Sequence, residues 1–312
     1  MTPVITLTLN PAIDKNTSVD RVIAEDKLRC ETPTREPGGG GLNVSRVIDR
    51  LGGETNALYA AGGLTGDILE HLLDDEGVNH TPIEIEEWTR ENLIVYETST
   101  DRQFRFGMPG PELTNDELTR CLRALGETNP APEYVVASGS LPPGIPNDTY
   151  ARVAEAARER GARPILDTSG EALKEAMDAG WYLLKPNLRE LEQLAGTALE
   201  TEADRIEAAR SFIEEEWCEI VVLSMGASGA LLITRDQVEH IRSPTVPIKS
   251  RVGAGDSMVG GLTLALARGL EIPAAVRFGV AAGAAAVMTP GTELCRRGDT
   301  ERLFETMRPD DG

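Results

Sequence analysis

Lysine is scarce in this sequence, at only five of 312 positions, and acidic residues outnumber lysine and arginine by 51 to 31. The formal net charge is therefore −20 at pH 7. Because such a surface repels nucleic acid and anionic membranes, we expect neither as a partner. Acid-rich, lysine-poor surfaces are also typical of proteins from a high-salt cytoplasm, where salt screens the self-repulsion. We therefore predict a halophilic protein.

Cysteine and histidine are also few, with four and three copies. The cysteines stand singly and form no CxxC pair, which argues against zinc sites and disulfides and favours buried free thiols. The histidines lie outside every motif described below, so none is expected to be catalytic. The longest apolar stretch, 278–288, is too short for a membrane span, and the chain opens without a signal-peptide pattern. We expect a cytoplasmic protein.

Short β-branched runs alternate with stretches of helical periodicity along most of the chain. The runs predict strands at 4–9, 56–60, 134–137, 164–166, 181–184 and 220–223. The periodic stretches predict helices at 43–51, 67–75, 115–125, 147–160, 171–178, 188–194, 202–215, 257–268, 273–288 and 300–307. This alternation is typical of an α/β fold with a mostly parallel sheet and helices on both faces.

Two segments, about 15–37 and 87–108, lack helical periodicity. The second has a hairpin pattern, with runs at 93–97 and 103–106, so we predict a small antiparallel β lid inserted into the main fold. No linker, repeat or low-complexity tract divides the rest. We therefore predict one domain, residues 1–312, that carries this lid.

Polar or glycine-rich residues follow four of the predicted strands, at 138–144, 167–170, 185–187 and 224–229. Each alone is more often an ordinary turn or helix cap. In open parallel sheets, however, ligands bind outside the carboxyl ends of the strands. Four such ends in register predict one binding crevice.

The strongest single motif is Gly253-Ala254-Gly255-Asp256, which opens an apolar helix. Two glycines let the backbone bend, so that the first N–H groups of the helix form an anion hole for a phosphoryl group. Asp256 is predicted at the N-cap, a position that aspartate favours for capping alone. As a base it would be mild, because the helix dipole favours its ionised form. Phosphoryl transfer tolerates a mild base.

Asn187 and Glu190 place an amide and a carboxylate on one helix face after a strand. Such oxygens can hold Mg²⁺ beside a nucleotide phosphate, although a capping box explains the pair equally well. Lys185 directly precedes them, and lysine is rare here.

A second glycine run, 38–41, precedes Asn43 and favours close approach of the backbone to a polar ligand, with Asn43 and Asp14 available for sugar hydroxyls. Arginines of the lid segments suit the phosphate of a sugar substrate. Neither glycine loop is a Walker A sequence, and neither satisfies the GxGxxG dinucleotide pattern in full.

Together these motifs resemble the PfkB family of carbohydrate kinases, over essentially the whole chain. Within the family, segments 27–30, 88–93, 105–110 and 167–173 resemble the phosphofructokinase branch. The resemblance implies a ribokinase-like three-layer α/β/α sandwich and an ATP-dependent sugar-phosphate kinase, with fructose 6-phosphate as the expected acceptor and fructose 1,6-bisphosphate as the product.

The resemblance also implies roles for individual residues. Asp256 would be the catalytic base, with Gly253, Ala254 and Gly255 as the anion hole. The expected sugar-phosphate residues are Asp14, Lys27, Gly38, Gly39, Asn43, Arg90, Arg105, Ser138 and Gly139. The expected ATP residues are Lys185, Asn187, Ser224, Gly226, Gly229, Ala282 and Ala286. Asn187 and Glu190 would position Mg²⁺.

Two further expectations come from the family. Many members bind K⁺ beside the anion hole, and the matching positions here are Ser250, Val252, Ala286, Thr289 and Gly291. Arg251 stands in a segment where many members carry Asp-Thr, so it can interfere with that site or replace part of it. The lid is expected to pair with the lid of a second copy in a homodimer.

Three alternatives remain open at this stage. The acceptor can instead be fructose 1-phosphate or tagatose 6-phosphate, because a shifted phosphate or an inverted hydroxyl needs only small lid changes. A dinucleotide-dependent oxidoreductase is disfavoured by the missing GxGxxG pattern. A non-catalytic sugar or nucleotide sensor would be expected to have an altered base or anion hole, and both are intact.

Overall fold

The computed structural model describes residues 4–307, which form thirteen strands in two sheets and ten α-helices. The strands are β1 (Val4–Thr8), β2 (Ala12–Val19), β3 (Thr34–Gly38), β4 (Thr55–Ala61), β5 (His80–Glu84), β6 (Arg90–Glu97), β7 (Arg102–Phe106), β8 (Tyr134–Ser138), β9 (Arg163–Asp167), β10 (Trp181–Leu184), β11 (Cys218–Ser224), β12 (Ala230–Ile233) and β13 (Val238–Ile241). The helices are α1 (Gly40–Arg50), α2 (Gly63–Glu76), α3 (Asn115–Gly126), α4 (Thr149–Glu159), α5 (Gly170–Lys174), α6 (Leu188–Ala195), α7 (Glu202–Glu214), α8 (Ala254–Ala267), α9 (Ile272–Val287) and α10 (Arg297–Thr306).

The larger sheet has nine strands in the order β13-β12-β11-β10-β9-β8-β1-β4-β5. All neighbours from β11 to β5 pair in parallel, and only β12 and β13 are antiparallel. One face packs with helices α3–α7 and the other with α1 and α8–α10. The predicted mostly parallel sheet between two helical layers is therefore confirmed.

Helix α8 is buried along most of its length, because it packs against both α1 and α9 in the same helical layer. Two adjacent glycines permit this close approach. A Cβ atom on Gly260 would lie 2.6 Å from a methyl of Val47, and one on Gly261 would lie 2.7 Å from the Cβ of Ala282. The packing fixes the start of α8 relative to its neighbours, and the site is built around that start.

The smaller sheet has the order β3-β2-β6-β7 and contains the two segments predicted as a lid. The predicted hairpin is present, with Leu93 opposite Phe106 and Glu97 opposite Arg102. The two outer strand pairs are antiparallel, and β2 and β6 at the centre pair in parallel. Strand β2 begins at Ala12, so the lid sheet starts before the predicted boundary at about residue 15.

Several details differ from the sequence-based expectation. Strands β2, β3, β5, β12 and β13 were not predicted. Strands β5 and β13 are short, half-exposed edge strands without a clear alternation. Cys121, Cys218 and Cys295 are buried free thiols as expected, but Cys30 is exposed. Among residues 4–307, no helix is both long and apolar enough to cross a lipid bilayer.

Candidate active site

The predicted crevice lies at the carboxyl edge of the nine-stranded sheet, where strand ends meet the starts of α1 and α8. Three contacts bring the sequence motifs together. The Nδ2 group of Asn43 donates to Oδ2 of Asp256 at 2.8 Å. Lys185 Nζ lies 3.0 Å from the Asp167 carboxylate. Ser224 forms a bridge pair with Asn187 beyond the end of β11.

Asp256 is the third residue of α8, and its predicted N-cap position is wrong. The N-cap is Gly253, whose φ of 72° is a left-handed conformation that glycine adopts without strain. No side chain caps this helix start. The backbone N–H groups of Ala254, Gly255 and Asp256 therefore lack intrahelical acceptors and can bind an anion.

The pKa of Asp256 is raised to about 6, chiefly by burial and then by the nearby carboxylate of Asp167. The hydrogen bond from Asn43 and the charge of Lys185 oppose this rise, and Asp14 adds to it. The helix dipole was expected to keep Asp256 a mild base, but burial and the like charges outweigh it. Asp256 is thus a stronger base than its sequence position indicated.

Lys185 and Asp167 form a buried ion pair beside the anion hole, with side chains 6% and 16% exposed. Burial alone would lower the pKa of Lys185, but the charge and hydrogen bond of Asp167 raise it. A Cβ atom on Gly255 would lie 4.0 Å from Lys185 Nζ, so the ammonium group lies next to the first turn of α8. Asp167 was not predicted as a site residue, although its position at the end of β9 places it at the ligand-binding edge of the sheet.

Asn187 and Glu190 form the capping box that was the alternative explanation for them. The Asn187 side chain accepts from the Glu190 amide at 3.0 Å, and the Glu190 carboxylate accepts from the Asn187 amide at 2.8 Å. Burial raises the pKa of Glu190, as does Asp167. Within residues 4–307, no three His, Cys, Asp or Glu side chains are grouped to hold a metal ion. The pair fits Mg²⁺ that takes its other ligands from water and phosphate.

The turn after β11 is held by backbone contacts and by a glycine with a positive φ. Ser224 is tied to the carbonyl of Pro186, its amide donating at 2.9 Å. Gly229 has a φ of 91°, and a Cβ atom there would lie 2.0 Å from the carbonyl oxygen of Ile241, so only glycine fits. Gly226 is exposed at the tip of the turn.

A cavity of about 530 Å³ adjoins this turn and is lined in part by Asn187, Ser224 and Ser228. His240 also lines it, and a ring nitrogen lies 3.0 Å from the Ser228 carbonyl oxygen. This histidine was set aside in the sequence because it belongs to no motif. Only the pairing of β12 with β13 brings it next to the turn.

Ala282 and Ala286 do not present their side chains to the crevice, since both are completely buried. Ala282 faces Gly261 in the α8–α9 contact. The expected position of adenine beside this part of α9 stays a prediction. Gly283 and Val287 are the partly exposed positions on the last turns of α9. Hydrophobic periodicity could not indicate which side of α9 faces the site, because nearly all of its residues are apolar.

Helix α1 begins at Gly40, inside the glycine run and earlier than predicted. The backbone of this run lies close to neighbouring residues. Gly39 has a φ of 114° and serves as the N-cap. A Cβ atom on Gly38 would lie 2.7 Å from the Asp14 carboxylate, and one on Gly40 would lie 2.3 Å from Ser138 Oγ. The structure therefore brings the glycine run together with Asp14, Ser138 and Gly139.

Asp14 also contacts the lid. Asn92 of β6 donates to its carboxylate at 2.8 Å and accepts from the Met108 amide at 3.0 Å. Gly139 is half exposed, and its carbonyl accepts from Tyr150 and Thr168. The glycine loop, Asp14 and the end of β8 thus line one side of the crevice.

The basic lid residues divide into two groups. The Arg90 guanidinium donates to the backbone carbonyls of Asn10, Pro11 and Met108 at 2.8–3.3 Å, and so joins the lid to the end of β1. Burial lowers its pKa, against the charge of Asp14. Lys27 and Arg105 are exposed, and neither side chain contacts the site within residues 4–307.

The five residues expected around a monovalent cation come from two segments, since Ser250 and Val252 precede α8 whereas Ala286, Thr289 and Gly291 lie at or after the end of α9. Ser250 Oγ donates to the Gly291 carbonyl at 2.5 Å and accepts from the Val252 amide at 3.2 Å. Thr289 Oγ1 donates to the Ala286 carbonyl at 2.7 Å. These oxygens suit a hard monovalent cation. Arg251 is exposed beside them.

Comparisons with known proteins agree with this geometry. The model of the pfkB family of carbohydrate kinases matches residues 2–297. The ATP-dependent 6-phosphofructokinase isozyme 2 of Mycobacterium tuberculosis is 47% identical over 97% of this chain and 89% of its own length. Its namesake in Escherichia coli is 42% identical over 97% and 98%. A 1-phosphofructokinase of Bacillus subtilis is 32% identical over 93% and 95%.

A solved structure of Escherichia coli phosphofructokinase-2 in complex with potassium superposes with a TM-score of 0.95 and 41% identity, over 98% of this chain and 99% of that one. The family model covers nearly all of the sequence. The chain belongs to the pfkB family of carbohydrate kinases, and it is a phosphotransferase.

Proposed function

We propose that this chain is an ATP-dependent 6-phosphofructokinase, which transfers the γ-phosphoryl group of ATP to fructose 6-phosphate and gives fructose 1,6-bisphosphate. The observation that carries the proposal is the half-buried carboxylate of Asp256 beside three unpaired N–H groups at the start of α8. The relatives named 6-phosphofructokinase, at 47% and 42% identity over 97% of the chain, support the acceptor.

Asp256 accepts the proton of the sugar hydroxyl. Its Oδ2 atom is held by Asn43, which leaves Oδ1 for the acceptor. With a pKa of about 6 it is ionised at neutral pH and still basic enough to take the proton as transfer proceeds. The N–H groups of Ala254, Gly255 and Asp256 bind the transferring phosphoryl group, and Lys185 supplies a nearby positive charge.

The sugar phosphate lies between the glycine run and the lid in this proposal. Asp14, Asn43 and the chain at Gly38–Gly39 bind its hydroxyls, with Ser138 and Gly139 opposite. Arg90 keeps the lid against β1 and has two N–H groups left for the substrate phosphate. Lys27 and Arg105 reach a phosphate only if the lid moves or if a second copy presents them.

ATP occupies the turn after β11 and the edge near Lys185. The proposed contacts are Asn187, Ser224, Gly226 and Gly229. When bound, Mg²⁺ neutralises charge on the triphosphate, and Asn187 and Glu190 would hold it through water. K⁺ is proposed at the loop oxygens of Ser250, Val252, Ala286, Thr289 and Gly291, since one relative's structure contains potassium.

The architecture is proposed as one kinase domain over residues 1–312, with lid segments at about 15–37 and 87–108, working in the cytoplasm as a glycolytic enzyme. We propose a homodimer that forms through the lid sheet. Its strand β7 is an exposed edge, and Tyr96 on neighbouring β6 and Phe106 on β7 are 40% and 45% exposed. One Escherichia coli relative has a tetrameric inhibited form, so the assembly should be measured by light scattering with and without ATP.

The acceptor is tested by ADP release from the purified protein with fructose 6-phosphate, fructose 1-phosphate and tagatose 6-phosphate, at low and high KCl. The proposal predicts the highest kcat/KM with fructose 6-phosphate. A rate with fructose 1-phosphate that is equal or higher would favour the 1-phosphofructokinase alternative, which the Bacillus subtilis relative represents. The KCl series also tests for K⁺ if NaCl at equal ionic strength serves as the control.

Asp256→Asn tests the catalytic role directly. The amide keeps the shape of the side chain but cannot take a proton, so kcat should fall by about 10² to 10⁴-fold. ATP binding, measured by calorimetry, should change little. Substantial activity in this variant would rule out Asp256 as the base.

A further inference from the structure

An ion pair between a buried arginine and a glutamate that is 26% exposed joins α1 and α2 near the catalytic carboxylate. The Arg46 side chain is only 1% exposed, although arginine is seldom buried. Its Nε and Nη2 groups donate to the two carboxylate oxygens of Glu76, at 2.8 and 2.5 Å. Burial alone would raise the pKa of Glu76, but Arg46 and Arg50 hold it below its usual value. The pair is thus charged.

The third nitrogen of Arg46 faces the active site. Nη1 donates to the Pro37 carbonyl at 2.7 Å and to Oδ1 of Asn43 at 3.0 Å. Arg46 and Asn43 are three residues apart on α1, so they lie on the same helical face. The guanidinium therefore contacts both the strand before the glycine run and the side chain that binds Asp256.

This contact determines which way the Asn43 amide points. A guanidinium can only donate hydrogen bonds, so the Asn43 atom facing it must be the oxygen. The NH₂ group then faces the other way, towards Oδ2 of Asp256 at 2.8 Å. A flipped amide would set its NH₂ against Arg46 and its oxygen against a carboxylate, and both contacts would be repulsive.

We infer that Arg46, held by Glu76, is a positioning residue for the catalytic carboxylate and acts through the amide of Asn43. The inference rests on the proposed role of Asp256. Arg46 keeps a hydrogen-bond donor on Oδ2 of Asp256, so that the ionised form is favoured and Oδ1 remains for the acceptor hydroxyl.

The charges around Asp256 make this donor important. Asp14 on β2 and Asp167 on β9 both disfavour its ionised form, and Lys185 after β10 favours it. Asn43 is the one neutral side chain among these groups that supports the ionised form. If it turned, two neighbouring carboxylates would be opposed by Lys185 alone, and protonated Asp256 would persist to higher pH.

The test is the pH profile of kcat/KM in Arg46→Met, with ATP and the acceptor that gives the highest turnover. This parameter reports ionisations of the free enzyme. The acidic limb should move upward by about one pH unit, because a lost hydrogen bond to the charged form raises a carboxyl pKa. Activity near pH 6 should then fall about fivefold more than activity near pH 8. An equal loss at every pH would show a structural role only and would overturn the inference.

Arg50→Met is the matched control. Arg50 is one turn further along α1 and lies 3.5 Å from the same Glu76 carboxylate, but it does not contact Asn43. It shares the local charge environment, which also includes Asp49. In Arg50→Met, the acidic limb of the kcat/KM profile should lie at the same pH as in the unaltered enzyme. A shift equal to that of Arg46→Met would mean that loss of charge alone is responsible, and would contradict the inference.

Two more variants separate positioning from folding. Arg46→Met alone leaves the partly buried Glu76 without its main partner, whereas Arg46→Met combined with Glu76→Met removes both charges and should fold. This double variant should show the same upward shift, and an unmoved limb in the folded protein would refute the inference. Arg46→Met added to Asn43→Ala should shift the limb no further than Asn43→Ala alone, because Arg46 acts through Asn43.

Asp256→Asn separates a failure of the proposed function from a failure of the positioning role of Arg46. If it abolishes turnover while Arg46→Met leaves the limb in place, the function stands and the positioning role is wrong. If Asp256→Asn remains active, the base has been misassigned, and the proposed function fails before the role of Arg46 is at issue.

Discussion

At the scale of single residues, the site is a set of carboxylates held close together by a small number of donors. Asp14, Asp167 and Asp256 influence one another, and Lys185 and Asn43 oppose their repulsion. A carboxylate in such company takes up protons more readily than a solvated one. The pKa of Asp256, about 6, is the measurable result.

This pKa predicts how activity depends on pH. Because the raised value favours the protonated form, Asp256 loses its ability to act as a base as pH falls through about 6. The kcat/KM value should be level near pH 7 and should fall about tenfold per unit below the limb. A stopped assay from pH 4.5 to 8, with stability checked at each pH, would measure it.

Asp167→Asn should move that limb in the opposite direction from Arg46→Met. The change removes a carboxylate that raises the pKa of Asp256 and frees Lys185, whose charge lowers it. Both effects favour ionised Asp256, so the limb should lie at lower pH even if kcat falls. An upward shift would show that Asp167 does not act on Asp256 through charge.

Residue orientation is what the sequence could not predict. Asn43 was expected to bind sugar, but its contact with Asp256 depends on Arg46, whose role appears only when α1 and α2 are packed. Asn92 is fixed in the same manner, since the Met108 amide occupies its oxygen and leaves its NH₂ for Asp14. Motifs identify the residues of a site, whereas the direction of an amide depends on partners distant in sequence.

At the scale of elements, the glycine starts of α1 and α8 differ from the capping boxes that open three other helices. Thr114, Asn187 and Thr201 close capping boxes on α3, α6 and α7. Gly39 and Gly253 start α1 and α8 with no side-chain cap. Uncapped starts leave N–H groups free for a ligand. The glycines were visible in the sequence, but the helices begin three residues earlier than periodicity indicated, because glycine carries no hydrophobic signal.

Gly40→Ala and Gly126→Ala test whether this close approach is needed. A Cβ atom on Gly40 would lie 2.3 Å from Ser138 Oγ and 2.8 Å from the Gly139 nitrogen, so the variant should lose about 1–3 kcal/mol of stability and bind sugar phosphate poorly. Gly126, at the end of α3, has no neighbour within 4 Å, and alanine there should stabilise by up to about 1 kcal/mol. Urea unfolding and the KM for the sugar would be measured for both. Equal behaviour of the two variants would mean that the contact between α1 and β8 is loose.

At the scale of the whole molecule, the alternation of strands and helices was enough to predict the layers and the sheet, because each central strand is a short apolar run. The lid was located by the absence of helical period, but its strand β2 was not. Its residues alternate weakly, and its partners β3 and β6 come from distant parts of the chain. Pairing of that kind follows from the finished fold and not from a local pattern.

The net charge of −20 predicts that the stability of the protein increases with salt concentration. Exposed carboxylates repel one another over about 30 Å at 0.01 M salt, and this range shortens to about 10 Å at 0.1 M and about 3 Å at 1 M. The melting temperature should therefore rise as KCl increases from about 0.05 to 2 M, beyond the range in which ordinary screening saturates. NaCl at matched concentrations separates screening from specific K⁺ binding, since screening responds to both salts equally. Unfolding promoted by high rather than low KCl would contradict the predicted halophilic character, and the scarcity of lysine would then need another explanation.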